Sequence, residues 1–210
     1  MSVKIQVRNP YTGAADFSFV NADSGSIAQR CADLKTAQPE WAGLDISERI
    51  AALQEFGQAI RSREAELIAA VQADTGRTHI ALLEVQTLSA FIARLAQDAP
   101  IALQVPPART AAIPVIEGST ERSPYGLVGN ISPWNFPIQI NLAKCLPALA
   151  AGCTVVLKAA AETPWTASLL GRIAAEAELP PGVFNVLTAS DPAEIGNAMT
   201  RDPRVDVVSF

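Results

Sequence analysis

Between Gly126 and Phe210 the sequence alternates short apolar runs with longer amphipathic ones, and this alternation constrains the fold more than any other feature. "GLVGNIS" (126–132), "TVVLK" (154–158), "VFNVLT" (183–188) and "VDVVSF" (205–210) read as strands, the second with an unbroken apolar core. "PIQINLAKCLPALAAG" (137–152), "TPWTASLLGRIAAEAEL" (163–179) and "DPAEIGNAMTRD" (191–202) read as helices. Four strands alternating with three helices predict an α/β fold, a Rossmann-like parallel sheet with flanking helices. In such sheets ligands bind at the carboxyl ends of the strands. Ser132–Asn135 follows the first strand and Lys158 closes the second, so an amide, an indole and an ammonium are expected along one edge.

The preceding part reads differently. "VKIQVR" (3–8) alternates apolar and polar residues, the period of a half-buried strand, and "NPYTG" (9–13) is turn chemistry. A helical region follows. Ile46, Ile50, Leu53, Phe56 and Ile60 repeat on one helical face, Asp45 with Glu48 forms a capping box, and Gly76 is a stop signal. Pro100, Pro106 and Pro107 break the helices. Residues 110–124 read as extended chain, with Pro114 confining a strand there to an edge.

Composition closes off several functions. Hydrophobic residues make up 49% of the 210 and charged residues 18%, which describes a globular chain with a real core. A net charge of −5 offers no basic patch, so nucleic acid is not an expected partner. The longest apolar run, Cys145–Leu157, is 13 residues, short of a membrane span, so no membrane is expected either. Cys31, Cys145 and Cys153 are widely spaced, with neither a zinc pattern nor a disulfide framework; no metal is expected, and the reducing cytoplasm is the expected location. The first residues lack the apolar core of a secretory signal. The G-x-G-x-x-G phosphate loop is missing, so a nucleotide site would use other contacts.

"PWNFP" (133–137), "ALAAGCTVVLKAAAETP" (148–164), "ELPPGVFNVL" (178–187) and the terminal "VSF" occur in an order and spacing that resemble the aldehyde dehydrogenase superfamily, and "NPYTG" is similar to its N-terminal segment. The resemblance implies an enzyme that oxidises an aldehyde to a carboxylic acid with NAD or NADP through a thiohemiacetal. It places the oxyanion-binding amide on Asn135; capping of loop backbone is the structural alternative for that side chain. It places cofactor contacts on Ile131, Ser132, Pro133, Trp134 and Lys158, substrate-tunnel contacts on Phe136 and Gln139, and a proton-path lysine on Lys144. Core-facing or surface positions on a helix would look the same for the last three.

The resemblance further implies the N-terminal strand and helical part of the cofactor-binding domain over 1–105, an oligomerisation strand segment over 106–124, the Rossmann-like part over 125–210, and a homodimer or homotetramer. Ala161 stands where the family usually has a ribose-binding glutamate. Loss of that carboxylate removes a charge that would repel a 2′-phosphate, so NADP is expected to be tolerated, with Glu162 as a partial substitute. The family's cysteine nucleophile and glutamate base fall beyond these residues, and none of the three cysteines is a credible substitute. The chain is thus expected to be the N-terminal part of a longer enzyme; a nucleotide-binding module without catalysis is the alternative.

Overall fold

The computed structural model describes residues 4–104, 109–110, 117–118, 121–177 and 179–210. The chain opens with an antiparallel hairpin, β1 (Lys4–Val7) against β2 (Phe17–Val20). Four helices follow: α1 (Ser24–Gly43), α2 (Ile46–Ser62), α3 (Glu64–Thr75) and α4 (Thr78–Ala102). Within the extended segment expected at 106–124, two short pieces, β3 (Arg109–Thr110) and β4 (Glu117–Gly118), pair antiparallel; Pro106, Pro107 and Pro114 lie outside the described residues. Then come β5 (Leu127–Ile131), α5 (Gln139–Ala150), β6 (Thr154–Lys158), α6 (Pro164–Glu176), β7 (Phe184–Leu187), α7 (Pro192–Arg201) and β8 (Val205–Ser209).

The last four strands form one parallel sheet in the order β7-β6-β5-β8, the doubly wound arrangement expected from the alternation. From β5 the chain winds outward through β6 to β7, then returns to add β8 on the far side of β5. The direction of winding therefore reverses at β5, which makes its carboxyl end the topological switch point.

Side chains along β6 alternate between two cores, as the period of a strand demands. Val155 and Leu157 join the larger core, with Phe56, Leu67, Val85, Leu142 and Leu170 from α2–α6. Val156 joins the smaller one with Ile27, Leu34 and Met199 from α1 and α7. The sheet is thus covered on both faces, which explains the continuous apolar run at 155–157.

Two local devices fix the chain. Gly76 ends α3 in the left-handed region at φ +69°, its N–H bonded to Gln72 O at 2.8 Å. Gly126 enters β5 at φ +119°, where a Cβ would stand 2.2 Å from Asp206 Oδ2. That carboxylate accepts from the Leu127 N–H at 2.7 Å and pairs with Lys35 at 2.6 Å. The capping box is present at α2, with Glu48 accepting from the Asp45 N–H at 2.8 Å.

One expectation is corrected. Pro100 does not break α4, which runs to Ala102. Pro100 sits in the last turn, where it withholds one N–H from the carbonyl four residues earlier, and α4 stops two residues later. The helix α4 is long and apolar enough, by length and composition, to cross a membrane. In the fold its inner face packs on α2, α3 and α5 through Ala81, Val85, Leu88 and Ile92.

Candidate functional site

The site begins where β5 and β6 end side by side. Ile131 is in register with Lys158, and the Ser132 N–H donates to Lys158 O at 3.2 Å. Ser132 is buried, and Lys158 is only 5% exposed. Burial lowers the Lys158 ammonium pKa from its ordinary value, partly opposed by the nearby Glu162 carboxylate. Among the described residues Lys158 forms no ion pair. An almost buried ammonium without a carboxylate partner is a donor held ready for an acceptor from elsewhere. Ala161 and Glu162 follow on the loop between β6 and α6.

From Ser132 the chain turns outward. Pro133 is exposed, and Trp134 presents its indole to solvent at 52% exposure. Asn135 and Phe136 turn back and are half-buried. Here the helical layer takes hold of the loop. The Arg77 guanidinium, at the corner between α3 and α4, donates to the Asn135 backbone carbonyl and lies 5.2 Å from the centre of the Phe136 ring. The backbone of Asn135 is thus bound, while its side-chain amide makes no hydrogen bond among the described residues.

Next, α5 opens. Its first N–H groups point along the helix axis without intrahelical partners. Glu84 of α4, 0% exposed, supplies the missing acceptor: one carboxylate oxygen accepts from Ile138 N at 2.9 Å and Gln139 N at 3.1 Å. Its other oxygen is buried without a partner. Burial raises the Glu84 pKa, opposed by these two N–H groups and by the Arg77 charge. The same device recurs at α6, where Asp74 of α3 accepts from Trp165 N at 3.2 Å and Thr166 N at 2.7 Å. Burial pushes Asp74 up to about 6.

Gln139 is exposed at the first turn of α5. Lys144 reaches the carboxyl end of β8, its Nζ donating to Phe210 O at 2.7 Å. Along the edge formed by β6, β5 and β8, Lys158 lies with Ile131 and Ser132, Asn135 with Phe136 and Gln139, Pro133 is exposed on the loop after β5, Ala161 lies on the loop after β6, and Lys144 stands apart beside β8. The exposed Trp134 stands between the first two.

The cysteines stand apart from this chemistry. All three are buried. Burial pushes Cys31 up to about 11 and Cys145 up to about 12, the latter accepting a hydrogen bond from Asn130 Nδ2 at 3.3 Å. Among the described residues no cluster of His, Cys, Asp and Glu is placed to hold a metal.

Sequence reasoning missed Arg77, Glu84 and Asp74. Glu84 did leave a signal: it lies on the stripe formed by Ala81, Val85, Leu88 and Ile92, so a charge stands on the core face of a helix.

Known structures of the same architecture agree closely. An NADP-dependent enzyme from E. coli superposes with a TM-score of 0.93 at 30% identity, over 99% of this chain and 43% of that one. An aldehyde dehydrogenase from Brucella melitensis biovar abortus 2308 gives 0.93 at 29% identity, over 99% and 43%. An NAD-dependent benzaldehyde dehydrogenase from Corynebacterium glutamicum gives 0.91 at 27% identity, over 99% and 46%. The chain spans less than half the length of each. The aldehyde dehydrogenase family profile matches residues 1–210 from end to end, and the chain belongs to that family.

Proposed function

We propose that this chain forms the cofactor-side half of an enzyme that oxidises a small-molecule aldehyde to a carboxylic acid with NAD or NADP. The observation that carries the reading is Asn135: its backbone is fixed, its amide is unengaged, and it stands at the switch point of a parallel sheet. A donor so placed suits an oxygen that becomes negative as a thiolate adds to the carbonyl carbon, giving a thiohemiacetal. One such donor is worth about 2.7–4 kcal/mol in the transition state. The thiolate comes from outside these residues, because Cys31, Cys145 and Cys153 are buried.

The residues present fit a dinucleotide. Lys158 offers a nearly buried ammonium to a ribose hydroxyl or a phosphate oxygen, and Ala161 presents no carboxylate to compete. Ile131, Ser132, Pro133 and Trp134 line the side where a nicotinamide would lie. When bound, that ring supplies the hydride acceptor. Phe136 and Gln139 border the aldehyde, and Lys144 carries a proton path beside β8. Without a carboxylate at 161, NADP is tolerated; isothermal titration giving at least tenfold tighter binding of NAD would exclude this. Assembly as a homodimer or homotetramer in the cytoplasm completes the reading.

The test is Asn135→Ala in the full-length protein, assayed with propanal and benzaldehyde against both cofactors. A fall of about 10²–10³ in catalytic efficiency with an unchanged melting temperature is expected. Unchanged turnover overturns the oxyanion role. The second reading is a nucleotide-binding module without catalysis, which holds if the chain ends at Phe210; cofactor binding by the 210-residue protein without turnover of any aldehyde would establish it.

A further inference from the structure

We propose that Arg77 is a positioning residue that aims the Asn135 amide; the proposal rests on the oxyanion role of that residue. Two contacts converge on the loop from this one side chain. Its guanidinium donates to the Asn135 carbonyl, and its central carbon lies over the Phe136 ring, 5.2 Å from the ring centre. A guanidinium makes both contacts at once because it is flat and carries donors in a fixed fork; an ammonium has no such face.

The position matters as much as the contacts. Asn135 lies between a free, outward-turned Trp134 and a helix whose first N–H groups are held by Glu84 at 2.9 and 3.1 Å. The loop is therefore pinned after Asn135 by Glu84 and at Asn135 itself by Arg77, while the Ser132–Lys158 bond pins it before. Remove Arg77 and five residues, 133–137, span the gap between the two remaining anchors, Ser132 and Ile138. The amide then samples orientations, and a donor displaced by about 1 Å forfeits much of its effect on the transition state. Arg77 acts through Asn135, the residue whose carbonyl it holds.

That route of action sets the test, a double-mutant cycle in the full-length enzyme with propanal and NADP. Arg77→Met keeps an unbranched apolar stem and removes the guanidinium. It is expected to lower catalytic efficiency at least tenfold in the wild-type background and less than twofold in the Asn135→Ala background. Arg77→Lys restores part of the loss by keeping one donor. An equal loss in both backgrounds, or none in the wild type, overturns the proposal while leaving Asn135 in its role. If Asn135→Ala itself changes nothing, the oxyanion reading falls and this proposal with it. Should Arg77→Met fail to fold, the same cycle is run with Arg77→Lys, whose smaller loss in the wild-type background should vanish in the Asn135→Ala background; a loss equal in both overturns the proposal.

Discussion

Two helices, α5 and α6, open at the carboxyl edge of the same sheet, and each is capped by a buried carboxylate from the helical layer. At α6 both oxygens of Asp74 are engaged, one on Trp165 N and one on Thr166 N. At α5 one oxygen of Glu84 serves both N–H groups and the other has no partner. Before α6, Glu162 is exposed and Thr163 buried; before α5, Trp134 is half exposed, the Asn135 amide is unengaged, and Pro137 and Ile138 are buried. The α6 cap is thus saturated, while the α5 cap keeps a spare oxygen and lies beside the unengaged Asn135 amide.

The comparison is sharpened first by Asn135→Ala, whose expected loss of catalytic efficiency, about 10²–10³, is the largest effect. No substitution at the α6 end should approach it without also lowering stability.

A second expectation concerns pH. Asp74 has its pKa raised from 3.8 to about 6 by burial, so the native state holds this proton where the unfolded state has lost it. Its contribution to stability therefore falls as pH rises from about 4 to 6, by about 3 kcal/mol, and stays lost above that window. The stability difference between wild type and Asp74→Asn, from urea unfolding at pH 4.5 and 7.5, should shrink or reverse accordingly. A difference independent of pH would mean that Asp74 ionises in the native protein as in the unfolded chain.

At constant pH the two caps should respond differently to neutral amides. Asp74→Asn turns an accepting oxygen into a donor that faces a backbone N–H, at about 1–3 kcal/mol. Glu84→Gln can keep its accepting oxygen on Ile138 and Gln139 and place the new amide where the unpartnered oxygen stood, for less than about 1 kcal/mol. Urea midpoints that rank the two substitutions the other way would break the comparison.

The smallest effect is a negative one. Thiol reagent at pH 8 should leave Cys31 and Cys145 of the native protein unlabelled, because burial keeps both thiols protonated.

Much of this architecture was legible. The strands β5–β8 and helices α5–α7 follow from apolar runs and their punctuation. The β1–β2 hairpin was half read: "VKIQVR" stood out, while "FSFV" (17–20) was too short to do so. Pro100 misled because its cost depends on distance from the helix end, which the sequence does not display. The caps were illegible for a different reason. Glu84 reaches N–H groups 54 and 55 residues away, and Asp74 reaches across 91 and 92. Local signals describe helices that cap themselves; these are capped by the tertiary fold.

The long reach of those contacts bears on how such a chain can be recombined. Arg77, Glu84 and Asp74 lie before residue 103, and everything they hold lies after residue 126. A crossover between related genes in the intervening stretch would join helices from one parent to a sheet from another, and would keep the contacts to the Asn135 loop only where both parents share Arg77 and Glu84, and the α6 cap only where they share Asp74. The two segments are a single unit of inheritance, although a domain map would place a boundary between them.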